Sequence, residues 1–479
     1  MKLLCFVSLV IQPSVAEPDT RQATGVKVGE VTDGSAIVWV RLTKEASRRA
    51  DGIVYKAKRP VKWKKPTEEI IVNELEGSCP GAPGKVRLRY GDQRNLADSK
   101  TIPWVDVSAA ADFTHQFRLN DLKPATVYYY TVETTGPGGS PKHGSLNGSF
   151  ETAPKPDDYG DVTFTVITGQ AYRDLDHPNG YHIYEAMGKL KPKFIIPTGD
   201  TVYYDSDMPI ATTVELARYH WHRMYSYPRH IAFHLHVPGY WEKDDHDSCC
   251  NDNWPGMDTK LSRSMLPMTL DKGIKLFKEQ VPMGEKTYRT YRWGKGLQVW
   301  LVEGRDFRSP NPMPDGPDKS IWGAEQKAWV KKTLLSSDAD WKVLISPTPI
   351  VGPDRKSKAD NHSNKAFAHE GNEFRRWAAK NLPDNFFMAC GDRHWQYHSV
   401  HPETRVQEFS CGPVSDQHAA GTTGYIAEYH KFHRSKGGFL SVNTRLVEGK
   451  SKITFRFHDV HGKVVYEFSP VRSVEVKVN

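Results

Sequence analysis

Four clusters of polar side chains carry the residue types that hydrolytic chemistry needs. The first is Gly199-Asp200, followed by Tyr203, Tyr204 and Asp205. A Gly-Asp step behind an apolar strand projects a carboxylate from a tight turn into a crevice, although an Asp in that place also caps helices and closes turns. The second runs Trp241-Glu242-Lys243-Asp244-Asp245-His246-Asp247 and continues through Asn251-Asp252-Asn253-Trp254. Carboxylates this dense repel one another unless a cation neutralises them. A solvated acidic loop is the alternative, and the flanking Trp241 and Trp254 speak against it. The third, Gly391-Asp392-Arg393-His394-Trp395, sets an Asp and a His two residues apart, so both can face one metal ion. The fourth is Arg305-Asp306-Phe307-Arg308, where a guanidinium suits two-pronged capture of phosphate or sulfate, with a surface salt bridge as the alternative.

These clusters share one grammar, an apolar strand that ends in polar residues. Val162–Thr168 ends at Gly169, Lys193–Thr198 at Gly199-Asp200, Leu297–Val302 near Asp306-Phe307-Arg308, Trp341–Ile345 at Ser346-Pro347-Thr348, and Asn385–Cys390 at Gly391–His394. Helical stretches at Gly180–Leu190, Gly323–Leu335 and Glu370–Asn381 lie between them, which is the pattern of an α/β domain. Function in such sheets sits beyond the carboxyl ends of the strands. The β-type stretch from Gly438 to Glu467 is expected to add edge strands. The region ahead of the proline-rich Thr152–Asp158 linker is of β type. Gly25–Val31 and Ser35–Arg41 alternate around Thr32-Asp33-Gly34, a hairpin signal. Leu122, Pro124, Thr126, Tyr128 and Tyr130 match the corner-and-strand pattern of a small β-sandwich, in which a tyrosine locks the corner. The Lys- and Pro-rich stretch from Lys56 to Lys100 is read as an insertion that decorates this sandwich.

In order along the chain, these motifs resemble the PhoD-like alkaline phosphatase family, a branch of the calcineurin-like metallophosphoesterases. The matching runs are Thr198–Tyr204, Asp244–Asp247, Asn251-Asp252, Asp306–Arg308, Gly323–Gln326 with Trp329, Trp341–Leu344 and Gly391–Trp395, preceded by Lys27–Val31 and Ser35–Arg41 in an Ig-like front module. The resemblance implies a four-layer αββα catalytic domain over residues 160–479 that holds metal ions, behind a small N-terminal β-sandwich over 17–153. It makes Asp200 the central carboxylate, Asp392 and His394 ligands, Asn251 (with Asp252 beside it) an amide-type ligand, and Asp245 a further one. Tyr219 is the phenolate candidate, with Tyr225 its rival. His246 becomes the general acid, Arg308 the catalytic and substrate-binding cation, and Asp306 and Arg393 further substrate-binding residues. One departure stands out. The family carries Ser-Cys-Gln-Asp-Tyr after the first strand, with the Cys on iron, whereas this chain has Thr168-Gly169-Gln170-Ala171-Tyr172. Calcium or another divalent ion is then expected, with the iron site in question because Gly169 replaces the cysteine.

Composition sets the frame for this reading. The chain has 479 residues with 38% hydrophobic and 25% charged side chains, enough apolar content for a buried core, which excludes a wholly disordered protein. Its net charge of +8 forms no long basic block, so no nucleic-acid module is implied. No apolar run reaches the roughly 20 residues of a membrane-spanning helix. Lys2, the apolar Leu3–Ile11 and Ser14-Val15-Ala16 read as a signal peptide over 1–16, which places the mature chain outside the cell or in the periplasm. Five cysteines remain after it, too few for a disulfide scaffold. The expected function is secreted, metal-dependent hydrolysis of phosphate esters on a small-molecule or oligosaccharide substrate. The alternatives are a sulfatase acting on sulfated esters, including those of carbohydrates, and a non-catalytic binding protein stabilised by calcium.

Overall fold

The computed structural model describes residues 19–60, 62–382 and 384–474. The signal-peptide reading over 1–16 falls outside them. In the front module β1 (Val26–Gly29) and β2 (Ala36–Arg41) pair antiparallel across the Thr32-Asp33-Gly34 turn. They are followed by β3 (Gly84–Gly91), β4 (Lys100–Val107), β5 (Thr114–Leu119), β6 (Val127–Thr135) and β7 (Lys142–Glu151). The sheets β1-β2-β5 and β4-β3-β6-β7 pack face to face. Val38, Val40 and Phe117 from one meet Val86, Leu88, Val132 and Phe150 from the other. The Lys123 N–H donates to the Tyr128 hydroxyl at 2.9 Å and fixes the corner before β6. The stretch read as a decorative insertion supplies an interior strand. Lys85, Arg87 and Arg89 of β3 alternate with the buried Val86, Leu88 and Tyr90, a two-residue period hidden by the surrounding lysines and prolines.

Beyond the linker come β8 (Val162–Ile167), α1 (His182–Lys189), β9 (Phe194–Pro197), α2 (Val214–Tyr225), α3 (Pro228–His234), α4 (Lys260–Met265) and α5 (Leu270–Gln280). Then follow β10 (Arg289–Trp293), β11 (Leu297–Leu301), α6 (Gly323–Ser336), β12 (Trp341–Ser346), α7 (Ala368–Asn381), β13 (Phe386–Cys390), β14 (Gln396–Val400), β15 (Gln407–Cys411) and β16 (His430–Arg434). The chain closes with β17 (Phe439–Val447), β18 (Lys450–His458), β19 (Val464–Phe468) and β20 (Val471–Ser473). One sheet runs β10-β11-β12-β13-β15-β14-β16; the other runs β19-β18-β17-β8-β9, with β20 paired to β18.

The two sheets face each other through Phe164, Val166, Leu440 and Phe455 on one side and Val299, Val343, Ile345, Phe387 and Phe409 on the other. Outward, Ile167 and Ile195 meet α1 and α3 through Ile183, Met187 and Phe233, while Leu344 and Met388 meet α6 and α7 through Val330, Leu334 and Phe374. The result is the expected four-layer αββα arrangement. Its register is held by period-two burial: a one-residue slip of β8 would turn Thr163 and Thr165 inward for Phe164 and Val166. Each buried apolar side chain lost that way costs about 1.5–3 kcal/mol. β17 was expected at an edge and lies inside its sheet, between β18 and β8, because Leu440 and Val442 are needed on the shared core face.

The front module's sheet is not separate from the second one. The Pro238–Glu242 segment runs along β9, with Tyr240 N–H donating to Ile195 C=O at 2.9 Å and Glu242 N–H to Pro197 C=O at 2.8 Å. On its far side Gly239 N–H donates to Val28 C=O of β1 at 2.8 Å. A single hydrogen-bonded surface therefore runs from β5 through β1 and this segment into β9. The acidic loop begins where that segment ends. Among the described residues no helix is long and apolar enough to cross a membrane, and Cys79, Cys249, Cys250, Cys390 and Cys411 are all buried and free.

Candidate metal centre and active site

The carboxyl ends of β8, β9 and β13 converge, and Thr168 ties their turns together. Its hydroxyl donates to Gly199 C=O and accepts from Asp392 N–H, both at 3.3 Å. Asp200 and Asp392 both take left-handed backbone conformations, with φ of 55° and 59°. Gly199 has φ 91°, and a Cβ there would stand 2.5 Å from Asp244, so only glycine lets the acidic loop close over this turn. Asp247 seals that closure, accepting from Asp244 N–H at 2.7 Å and from Thr201 N–H at 3.1 Å.

Asp200 is 1% exposed, and its Oδ1 has no hydrogen-bond partner. Its Oδ2 accepts from the Tyr203 hydroxyl at 3.0 Å and lies 3.7 Å from His394 Nε2. Ligand atoms of Asp200, Asp245 and His246 all lie within 4.8 Å of one another, and Asp245, Asp252 and Asp360 form a second such group. Burial, with Asp245 and Asp247 close by, pushes the Asp200 carboxyl up to about 8. Burial also acts to raise Asp245, but His246, Arg305 and Lys358 outweigh it and hold that carboxyl below its ordinary range. A buried carboxyl oxygen with no donor, next to a second carboxylate and an imidazole, is an unfavourable arrangement that a bound cation would offset. The donor set therefore fits a metal ion.

His246 donates its Nδ1–H to Asp205 Oδ1 at 2.6 Å, and Asp205 Oδ2 accepts from Asn251 N–H at 2.9 Å. Burial works against a charged ring here, yet the carboxylates of Asp205, Asp245 and Asp200 raise its pKa well above the ordinary histidine value. Burial, then the His418 and Arg393 charges, hold His394 well below that value, in the neutral form that ligates metals.

Asp200, Asp245 and His246 come together, His394 stands 3.7 Å from Asp200, and Asp392 lies on the adjoining turn with its carboxylate against Arg393; the other candidates are placed elsewhere. The Asn251 side chain is exposed, and its contribution is the backbone N–H that holds Asp205. Tyr219 donates to Glu76 C=O at 2.7 Å, and Tyr225 accepts from Trp241 Nε1 at 2.7 Å, so both phenols serve packing. Arg308 is 3% exposed and donates to Asp360 C=O at 2.6 Å and Asn311 Oδ1 at 2.8 Å. It braces the loop carrying Asp360, and its guanidinium is enclosed. Asp306 pairs with the buried Lys243 at 2.6 Å and accepts from Thr287 at 2.8 Å. Arg393 is enclosed between Asp354 and Asp392.

Residues to which the sequence assigned no role take the vacated places. Lys358 bridges Asp252 and Asp360. Arg305, fully buried, pairs with Asp244 at 2.5 Å. His418 reaches Tyr203, and Asp205 orients His246. Tyr203 and Asp205 had a local signal in their position just beyond Gly199-Asp200, and Arg305 in its place within the fourth cluster; Lys358 and His418 had none.

The family model described as PhoD-like phosphatase matches residues 164–472, and the one described as PhoD-like phosphatase, N-terminal domain, matches residues 10–154. Alkaline phosphatase D of Bacillus subtilis (strain 168) is 23% identical over 357 residues, 67% of this chain and 54% of that protein. The chain thus spans about half the length of this curated relative. Among solved structures, that of PhoD aligns with a TM-score of 0.71 at 16% identity, covering 97% of this chain and 94% of the other. A purple acid phosphatase from yellow lupin (Lupinus luteus) seeds aligns with a TM-score of 0.59 at 12% identity, covering 94% of this chain and 74% of the other. At those identities the two structures speak for the fold alone. The family models, which match most of the length of the chain in the order of its two modules, make it a member of the PhoD-like phosphatase family.

Proposed function

We propose that the chain is a metal-dependent hydrolase of phosphoric esters, with its active site at the rim formed by Asp200, Asp245, His246, Asp392 and His394. The observation that carries this reading is the buried Asp200 carboxyl, one oxygen of which has no partner, clustered within 4.8 Å of Asp245 and His246. Asp200, Asp245, Asp392 and His394 are the residues that would hold metal. Bound there, a metal ion supplies Lewis acidity toward the ester oxygens and acidifies water. The chain's own residues do the rest. His246, aimed by Asp205, delivers a proton to the departing ester oxygen. Lys358, 14% exposed at its side chain and flanked by Asp252 and Asp360, is a cation beside the acidic cluster with access to solvent, and it steadies the anionic ester in place of Arg308.

Protein stripped of metal with a chelator and then reconstituted should regain hydrolysis of aryl phosphates, measured beside aryl sulfates as the competing substrate class. Asp200→Ala should lower turnover at least 1,000-fold, on the order of removing a major electrostatic element, with an unchanged circular dichroism spectrum. Full activity in Asp200→Ala refutes the metallohydrolase reading. Faster turnover of sulfates than of phosphates would reassign the substrate class.

A further inference from the structure

The net charge of +8 forms no unbroken block, yet much of it is concentrated in one surface stretch. Lys56, Lys58, Arg59, Lys62, Lys64 and Lys65 fall within ten residues, and no acid stands between Asp51 and Glu68. The five lysines are exposed and Arg59 is half-buried. Nearby, Arg48 pairs with Glu76 and Arg49 with Asp51. Among the described residues, none of the six cations of this run has a carboxylate partner of that kind.

The run is fastened in place. Tyr55, Trp63 and Ile70 pack against the core shared by α1, α2, α3 and α5, while the lysines between them stay exposed. Arg59 N–H donates to Ser206 C=O at 2.8 Å and Met208 N–H to Ala57 C=O at 3.1 Å, within three residues of Asp205, which aims His246. At the other end Lys65 Nζ donates to Leu266 C=O at 2.8 Å, just past α4. A segment of the front module therefore lies across the catalytic domain, beside the candidate active site, with its lysines in solvent.

Exposed apolar side chains flank the same run. Ile53, Val54, Ile71 and Leu266 are 52%, 56%, 57% and 49% exposed, four of the eleven large apolar residues exposed among the described ones. A soluble polyanion is held by the lysines alone and gains nothing from these side chains. A bilayer bearing anionic headgroups takes both, the lysines at the headgroups and the apolar side chains at the acyl boundary. We propose that these lysines, with Ile53, Val54, Ile71 and Leu266 around them, form a docking surface for an anionic lipid bilayer, which holds the catalytic rim close to the lipid. It stands apart from the hydrolase reading, because vesicle binding is measured without turnover.

The test is cosedimentation of full-length protein with vesicles of phosphatidylcholine alone and of phosphatidylcholine mixed with phosphatidylglycerol, with polyphosphate as the soluble polyanion. The protein should bind the mixed vesicles and not the neutral ones, and should lose that binding as salt rises. Each lysine at an anionic surface strengthens binding roughly fivefold. The variant carrying Lys56→Ser, Lys58→Ser, Lys62→Ser and Lys64→Ser should therefore bind mixed vesicles about 500- to 1,000-fold more weakly, with an unchanged circular dichroism spectrum. Ile53→Ser with Ile71→Ser should weaken vesicle binding about tenfold or more and leave polyphosphate binding as it was. Wild-type protein that ignores mixed vesicles overturns the proposal, as does wild-type affinity in the four-lysine variant. Polyphosphate binding without vesicle binding overturns it as well and gives the lysines to a soluble polyanion. Should the four-lysine variant not fold, unchanged vesicle affinity in Lys62→Glu overturns it equally.

Discussion

His246 is the residue whose role can be put to the sharpest test, because the structure shows what holds it. Asp205 is 2% exposed, accepts the ring's Nδ1–H at 2.6 Å, and is itself fixed by Asn251 N–H at 2.9 Å. Asp205→Asn keeps the shape and removes the charge. A hydrogen bond to a charged partner contributes about 1.5–3 kcal/mol. At about 1.36 kcal/mol per tenfold, Asp205→Asn should slow the protonated step about 10- to 150-fold. His246→Ala, which removes the proton donor, should cost about 100- to 10,000-fold. These losses belong to esters whose leaving oxygen needs a proton, such as alkyl phosphates. Esters of acidic phenols, which depart as anions, should lose less than about tenfold. The assay is kcat/KM across a series of leaving groups for wild type and both variants, with bound metal per chain measured in parallel to separate proton transfer from loss of the ion. Both variants should show a steeper dependence on leaving-group acidity, with His246→Ala the steeper. Parallel lines, with one loss for every ester, would refute the general-acid role.

Two further predictions concern stability. His398 lies in β14, 1% exposed, with its Nε2–H on Gln407 Oε1 at 2.9 Å and Nδ1 on the Tyr466 hydroxyl at 2.8 Å; burial pushes it down to about 4. Its folded value is below the unfolded one of about 6.5, so it favours the folded state above pH 6.5 and that contribution fades as pH falls toward 4, by about 3 kcal/mol in all. His398→Gln should flatten urea-unfolding stability against pH by that amount between pH 7.5 and 4, and an unchanged slope refutes the linkage. Arg41, buried in β2, donates to Asp112 at 3.0 Å and to Cys79 C=O at 2.7 Å, while Asp112 also meets His222 at 2.6 Å and Gln280 at 2.8 Å. Arg41→Met leaves that carboxylate with a weakened set of partners and should cost about 3–5 kcal/mol in urea unfolding; a loss under about 1 kcal/mol would show the network to be dispensable.

What could be read in the sequence follows from how locally each feature is encoded. β8, β9, β11, β12 and β13 are apolar runs closed by glycine or polar residues, so both their extent and the polar side chains at their ends were visible. β3 was hidden because its three basic residues face solvent and resemble the lysines around them, although the alternation with Val86, Leu88 and Tyr90 was present. Asp200 and Asp392 drew notice because a turn directly behind β9 or β13 leaves a side chain few directions to take, and Asp245 because it stands in a dense acidic run. Arg308 misled because spacing cannot say which way an arginine turns. Two residues separate it from Arg305, both are enclosed, and Arg305 holds the Asp244 carboxylate while Arg308 holds the Asp360 carbonyl.

Contacts that are distant in sequence were beyond reach, and they decide how the site is held. His418 and Asp174 are 244 residues apart, and neither has a neighbouring motif. The anchoring of the acidic loop is the clearest case. Glu30, just past β1 of the front module, accepts from Arg289 at 3.0 Å, and Arg289 in turn donates to Trp241 C=O at 2.6 Å. Gly239 and Glu242, on either side of that carbonyl, are bonded to β1 and to the end of β9. The loop that carries Asp245 and His246 therefore leaves a backbone pinned from both modules, within a few residues of the chemistry. A sandwich that merely preceded the α/β unit would leave that loop fastened on one side. Fastened on both, the loop owes its position to the front module as much as to the sheet that bears Asp200.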